Sequence, residues 1–122
     1  MTVLRVTRGD DEIVDLIVRD PNGVGAQPGQ PSTWPRVDLS GSTARFVVTR
    51  KAIDSPALIT KTSGSGLAYT DEDEGEVAVT IDDTDTADLE PTVYRWELQV
   101  TDAASKVGTA AEGWLHILPD RA

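Results

Sequence analysis

Clustered carboxylates are the most obvious candidates for chemistry in this sequence. Two acidic runs, at residues 71–76 and 82–85, supply five candidate ligands: Asp71, Asp73, Asp82, Asp83 and Asp85. Ca²⁺ takes about six to eight oxygen ligands, so runs of this density could hold it. Neither run has the glycine and glutamate spacing of an EF-hand loop, and carboxylates are also common in hydrated turns. Calcium binding is therefore a secondary hypothesis, and we expect no other cofactor.

His116 is the single imidazole and thus the one conceivable histidine base. It stands between Leu115 and Ile117 on a predicted strand, without a Ser-His-Asp order or a glycine-flanked nucleophile nearby. A general base needs a partner within hydrogen-bond reach, and the sequence indicates none. The absence of cysteine removes thiol nucleophiles and thiolate zinc sites. We therefore expect that the protein is not an enzyme.

The charge distribution excludes several classes of partner. Residues 1–61 carry 8 basic and 7 acidic side chains, whereas residues 62–122 carry 3 basic and 14 acidic ones, which gives −10 overall. Binding to nucleic acid or an anionic membrane requires clustered Lys and Arg, so we expect neither partner. No apolar run approaches the ~20 residues of a membrane-spanning helix. An acidic surface of this kind could meet a basic patch on another protein.

Alternating apolar residues dominate the sequence and predict β-strands with one buried face. The clearest strand runs from Tyr94 to Val100 and would bury Trp96; another would bury Phe46. Turn residues such as glycine, proline and aspartate separate the strands. The pattern predicts one all-β domain over residues 1–122, a β-sandwich of about seven to nine antiparallel strands. A short helical turn is expected near residues 83–89.

The segment at residues 19–38 does not fit a minimal sandwich. Its proline and glycine content excludes a central strand. One interpretation is a surface loop stiffened by proline, and the other is an extended arm that lies along a neighbouring subunit with a tryptophan as its anchor. The second interpretation makes four residues candidates for an interface: Trp34, Pro28, Pro31 and Pro35.

The last predicted strand carries a second interface candidate. If Leu115 and Ile117 face the core, Trp114 and His116 point outward together and form a small exposed patch that could contact another protein. In the opposite register Trp114 belongs to the core and the patch disappears. The alternation of apolar residues by itself does not decide which of the two registers is correct.

Three sequence stretches resemble a known family. They are DLSGSTARF at residues 38–46, YRWELQV at 94–100 and EGWLHILP at 112–119. In this order they look like the immunoglobulin-like N-terminal domain of tailed-phage baseplate upper proteins, and like related small phage virion proteins, over residues 3–119. The resemblance implies an immunoglobulin-like β-sandwich that docks on other virion proteins and has no catalytic residues.

The resemblance leads to a functional expectation. Because Ala122 follows the last predicted strand directly, we expect a free-standing accessory of the virion: a capsid decoration or cement protein, or a tail or baseplate connector. Its partners would be major capsid or tail subunits, in a homo-oligomer or a lattice-bound multimer. The alternative is a β-sandwich that binds carbohydrate or calcium and recognises a host surface.

Overall fold

Eight β-strands supply nearly all of the regular structure in the computed structural model, which describes residues 2–19, 25, 27–30, 33–50, 56–102, 104 and 107–119. In chain order they are β1 (Thr2–Thr7), β2 (Glu12–Ile17), β3 (Thr43–Thr49), β4 (Ile59–Ser63), β5 (Gly66–Asp71), β6 (Glu76–Ile81), β7 (Val93–Thr101) and β8 (Val107–Leu118). This confirms the all-β prediction. A helical turn, α1 (Asp83–Thr86), lies inside the predicted range and is shorter than it.

The strands form one mixed sheet in the order β1-β8-β7-β3-β4-β5-β6-β2, and the sheet curls until it is nearly a barrel. Most neighbours are antiparallel, but β1 runs parallel to β8 and β4 runs parallel to β5. The prediction of purely antiparallel strands was therefore wrong. Alternation of apolar residues reports which face of a strand is buried, and it carries no information on the direction of the neighbouring strand.

Two places interrupt the continuity of the sheet. The β4–β5 ladder consists of only two residue pairs, Thr62 with Gly66 and Ser63 with Leu67. At the ends of the strand order, β1 and β2 are joined by the short connection 8–11 but share no ladder among the described residues. The nearly closed sheet thus has an open seam between its first two strands.

The core lies inside the curled sheet and is built from the predicted alternating positions. Phe46 of β3 and Trp96 of β7 stack with ring centroids 5.7 Å apart, and both are essentially inaccessible to solvent. Tyr94 and Leu98 of β7 are buried beside them. Large side chains of this type each contribute roughly 1.5–3 kcal/mol through burial, so these positions fix which face of each strand is internal.

Several connections between strands are short turns, whereas residues 18–42 join β2 to β3. A 3₁₀ turn at Glu72–Glu74 links β5 to β6 and ends at Gly75, whose backbone is left-handed with φ of 70°. None of the helical segments in the described ranges has the length and apolar character needed to cross a membrane.

Candidate functional site

The outer face of β8 carries the patch that one of the two registers predicted. Leu115 and Ile117 are buried in the core. Because side chains alternate along a strand, Trp114 and His116 lie on the opposite face, where both are half-buried. The structure therefore brings these two predicted interface residues together on one surface.

Neighbouring strands extend this surface on both sides of β8. Trp114 pairs with Val3 of β1 and Arg95 of β7, and His116 pairs with Arg5 and Val93 on the same strands. We call this surface the Trp114 patch; its residues are Val3, Arg5, Val93, Arg95, Trp114 and His116. Aromatic and arginine side chains are enriched in protein interfaces, and the patch combines both on a strongly acidic chain.

Arg95 is held in place within the Trp114 patch. Its guanidinium donates a 2.7 Å hydrogen bond to the carboxylate of Glu112 on β8. This cross-strand ion pair fixes the guanidinium beside Trp114 and compensates part of its charge. The positive charge on Arg5 remains exposed at the edge of the sheet.

The proline-rich segment is folded back on itself where the structure describes it. The Trp34 indole N–H donates to the carbonyl of Gln27 at 2.9 Å, and the Gln27 N–H donates to the Thr33 hydroxyl at 2.9 Å. Pro28 lies within the turn that Gln27 and Gln30 close, and Pro35 follows Trp34. The described residues thus follow the surface-loop interpretation, while contact of Trp34 with a neighbour stays a prediction. Pro31 lies outside the described residues.

The base of this loop is fixed to the sheet. The Val37 N–H donates to the Val18 carbonyl at 3.0 Å, and the Val18 N–H donates to the Gly75 carbonyl at 2.9 Å. The Arg19 guanidinium donates to the Trp34 carbonyl at 3.0 Å. These bonds hold Trp34 in a defined position, half-buried against the loop.

One group of the candidate calcium ligands surrounds a lysine instead. The Lys61 ammonium lies 2.7 Å from the Asp85 carboxylate and 3.4 Å from that of Asp82. Burial acts to lower the pKa of Lys61, but hydrogen bonds and charge from Asp85 and Asp82 outweigh it and raise the pKa above its usual value. The carboxylates that would bind a cation are thus already paired with one.

The other candidate ligands lie elsewhere and serve in turns. The Asp73 carboxylate accepts a 3.2 Å hydrogen bond from the Ser40 hydroxyl. Hydrogen bonding from Ser40, whose backbone N–H donates to the Asp38 carboxylate at 2.9 Å, lowers the pKa of the Asp38 carboxyl group. Asp83 and Asp71 are exposed. Within the described ranges, no three acidic or histidine side chains converge as a metal-binding group would require.

Sequence reasoning missed Lys61 and the exposed apolar residues at the sheet edges. Lys61 alternates with Ile59 on the inner face of β4, where an apolar residue would be expected. Ile13 and Ile17 of β2 are 68% and 39% exposed. Both faces of β2 carry apolar residues, and this two-sided pattern was the sequence signal for exposed apolar side chains on that strand.

Comparison with known proteins adds no relative: no family matches the chain, and a search of curated proteins finds no similar sequence.

Proposed function

We propose that the protein is a non-catalytic docking module of a bacteriophage virion, acting as a capsid decoration protein or as a connector in the tail or baseplate. The observation that supports docking best is the position of the exposed apolar side chains. Of four such large residues among those described, Val3, Ile13 and Ile17 lie on the edge strands β1 and β2. Exposed apolar edges are sites where other chains add to a sheet.

The strand order supports an immunoglobulin-like sandwich as the scaffold. Dividing the sheet at its weak β4–β5 joint gives a five-stranded group, β1-β8-β7-β3-β4, and a three-stranded group, β5-β6-β2. The last strand, β8, lies beside β7 and β7 beside β3, which is the order of strands G, F and C in an immunoglobulin domain.

A hydrogen bond at the start of β7 supports the same scaffold. The Tyr94 hydroxyl donates to the Glu90 carbonyl, four residues earlier, at 2.9 Å. Immunoglobulin-like domains have such a tyrosine corner near the start of strand F, the strand to which β7 would correspond. Both the strand order and this bond agree with the fold that the phage resemblance implies.

The docking surface would combine three elements. The edge strands offer main-chain hydrogen bonds, the Trp114 patch offers aromatic and arginine contacts, and the folded loop offers the face of Trp34. Virion contacts are repeated over many copies, so modest affinity at each copy still gives stable attachment.

The location of the protein tests this proposal. Particles purified on a density gradient from the source of the gene would be examined by quantitative mass spectrometry and by gold-labelled antibody. We expect the chain to co-purify with the particles at many copies each, with label on the shell or the tail. A chain confined to the fractions without particles would overturn the proposal. A calcium titration and a glycan array on the purified chain would then test the alternative function.

A further inference from the structure

Among the residues that the structure describes, neither strand that borders the open seam has a backbone partner on its seam side. On β1 the Arg8 N–H donates toward β8, to the Leu118 carbonyl. Backbone groups alternate in direction along a strand, so the N–H and C=O groups of Val3 and Arg5 point away from β8. On β2 the Val18 N–H points toward β6. The N–H and C=O groups of Ile13, Asp15 and Ile17 therefore point the other way, toward the seam.

The side chains at these open edges share one face. Val3, Arg5, Ile13, Asp15 and Ile17 are all exposed, while the residues between them point toward the core. A strand that pairs with either edge would therefore bring its own outward side chains directly opposite these residues. In an antiparallel pair such opposite residues have Cβ atoms about 4.5–5.5 Å apart and interact directly.

The two edges are complementary in charge and in apolar character. The sequence on β1 places Arg5 two residues after Val3, and the sequence on β2 places Asp15 two residues before Ile17. Aligned antiparallel, Arg5 is opposite Asp15 when Val3 is opposite Ile17. The pairing thus matches a cation with an anion and an apolar residue with an apolar residue in a single register.

The connection between β1 and β2 places Arg5 and Asp15 at similar heights along their strands. The chain reverses direction over residues 8–11, and Arg5 and Asp15 are each five positions from Asp10. Residues at equal distance from a reversal lie at similar heights along the two strands. A two-fold axis parallel to the strands would then place Arg5 of each copy opposite Asp15 of the other.

We infer that the open seam binds the seam of a second copy of this chain. In the resulting two-fold dimer, β1 of each copy pairs antiparallel with β2 of the other, and both ladders form at once. The inference rests on the docking function proposed above and names one partner of the edges. Charge complementarity selects this occupant, since pairing β1 with β1 or β2 with β2 would oppose Arg5 to Arg5 or Asp15 to Asp15.

Sedimentation velocity of the purified full chain tests the dimer. Measurements over about 1 µM to 1 mM would determine its dissociation constant at low and at high salt. Arg5→Glu and Asp15→Lys each replace two attractive cross-strand pairs per dimer by two repulsive ones. We expect each to raise the dissociation constant about tenfold or more.

The double variant Arg5→Glu/Asp15→Lys is the decisive comparison. It exchanges the two charges, so each copy would again oppose unlike charges, and we expect dimerisation to return to near the original strength. A merely structural effect of the substitutions would not be reversed in this way. Matched controls on exposed residues away from the seam are Arg45→Glu on β3 and Asp88→Lys after α1, which should leave the dissociation constant unchanged.

The results on the dimer can be distinguished from those on the docking function. A chain that remains monomeric at all concentrations, an open-ended polymer, or a dimer that the charge exchange does not restore would each overturn the seam dimer. These results concern the isolated chain, whereas the docking function is tested on particles. A monomeric chain that is nevertheless present on particles would refute the dimer and leave the proposed function standing.

Discussion

Lys61 of β4 forms a 2.7 Å ion pair with Asp85 in the helical turn after β6. The pair joins the two strand groups near the point where their ladder is weakest, since β4 and β5 share only two residue pairs. Only 11% of the Lys61 side chain is exposed, and its aliphatic part packs where a Cβ on Gly66 would lie. An interior lysine is thus used here to connect secondary-structure elements.

Replacing Lys61 by Met should lower the free energy of unfolding by about 1–2 kcal/mol. Methionine keeps most of the packing of the aliphatic stem but leaves the carboxylates of Asp82 and Asp85 without their cation. Lys61→Ala should cost more, because it also removes the packing against Gly66. Urea denaturation measures both variants; equal stability of wild type and Lys61→Met would show that the ion pair contributes nothing.

The pH dependence of stability should report the same pair. The raised pKa of Lys61 means that folding favours its charged form. Its contribution is complete below the usual pKa of lysine and is lost as the pH rises through the raised value, above about pH 10. Wild type and Lys61→Met should therefore converge in stability at high pH. A constant difference between them across that range would contradict this assignment.

Gly75→Ala should destabilise the protein by more than about 2 kcal/mol. Gly75 has a φ of 70°, and an added Cβ would lie 2.8 Å from the carbonyl oxygens of both Val18 and Val37. Gly9 is the matched control, since its φ is 81° and nothing lies within 4 Å of the added atom. Gly9→Ala should lower stability by only about 1 kcal/mol, which is the cost of placing an alanine in the left-handed backbone region. If both variants lost similar stability, the backbone would have moved to relieve the contacts of the added Cβ at Gly75 without a further loss of stability.

Tyr94→Phe should lower stability by about 1 kcal/mol, because the Glu90 carbonyl loses its donor while the ring stays buried. Glu90→Ala keeps the carbonyl and should have little effect. Thermal unfolding of the two variants separates the contributions. A loss in Glu90→Ala as large as that in Tyr94→Phe would show that the hydrogen bond is not the cause.

Under the proposed docking function, Trp34→Ala should weaken binding to the virion particle by about 2 kcal/mol or more while changing the stability of the domain little. The indole lies on a loop outside the core, so its main loss would be at the interface. Trp34→Phe retains an aromatic face without the hydrogen bond to Gln27 and should bind with intermediate affinity. Co-sedimentation with purified particles measures all three proteins; wild-type binding by Trp34→Ala would exclude this residue as an anchor.

The interface candidates show where sequence reasoning stops. Alternation along β8 predicted that Trp114 and His116 share a face, but only the burial of Leu115 and Ile117 shows that this face is external. The two acidic runs do not combine into one site, because Asp85 of one run pairs with Lys61 while Asp73 of the other accepts a hydrogen bond from Ser40. Proximity along a chain predicts proximity in space within one turn, and not across turns.

The sequence by itself determined that this chain folds as strands, because period-two burial of residues such as Phe46 and Trp96 is a local property of the backbone. It also determined the acidic surface. Only the tertiary structure decided that β1 runs parallel to β8, that Lys61 meets Asp85, and that β1 and β2 stand at the two ends of the strand order in the described part of the chain. Those relationships depend on which distant segments come together, and hydrogen bonding between strands uses backbone groups that every residue type except proline shares.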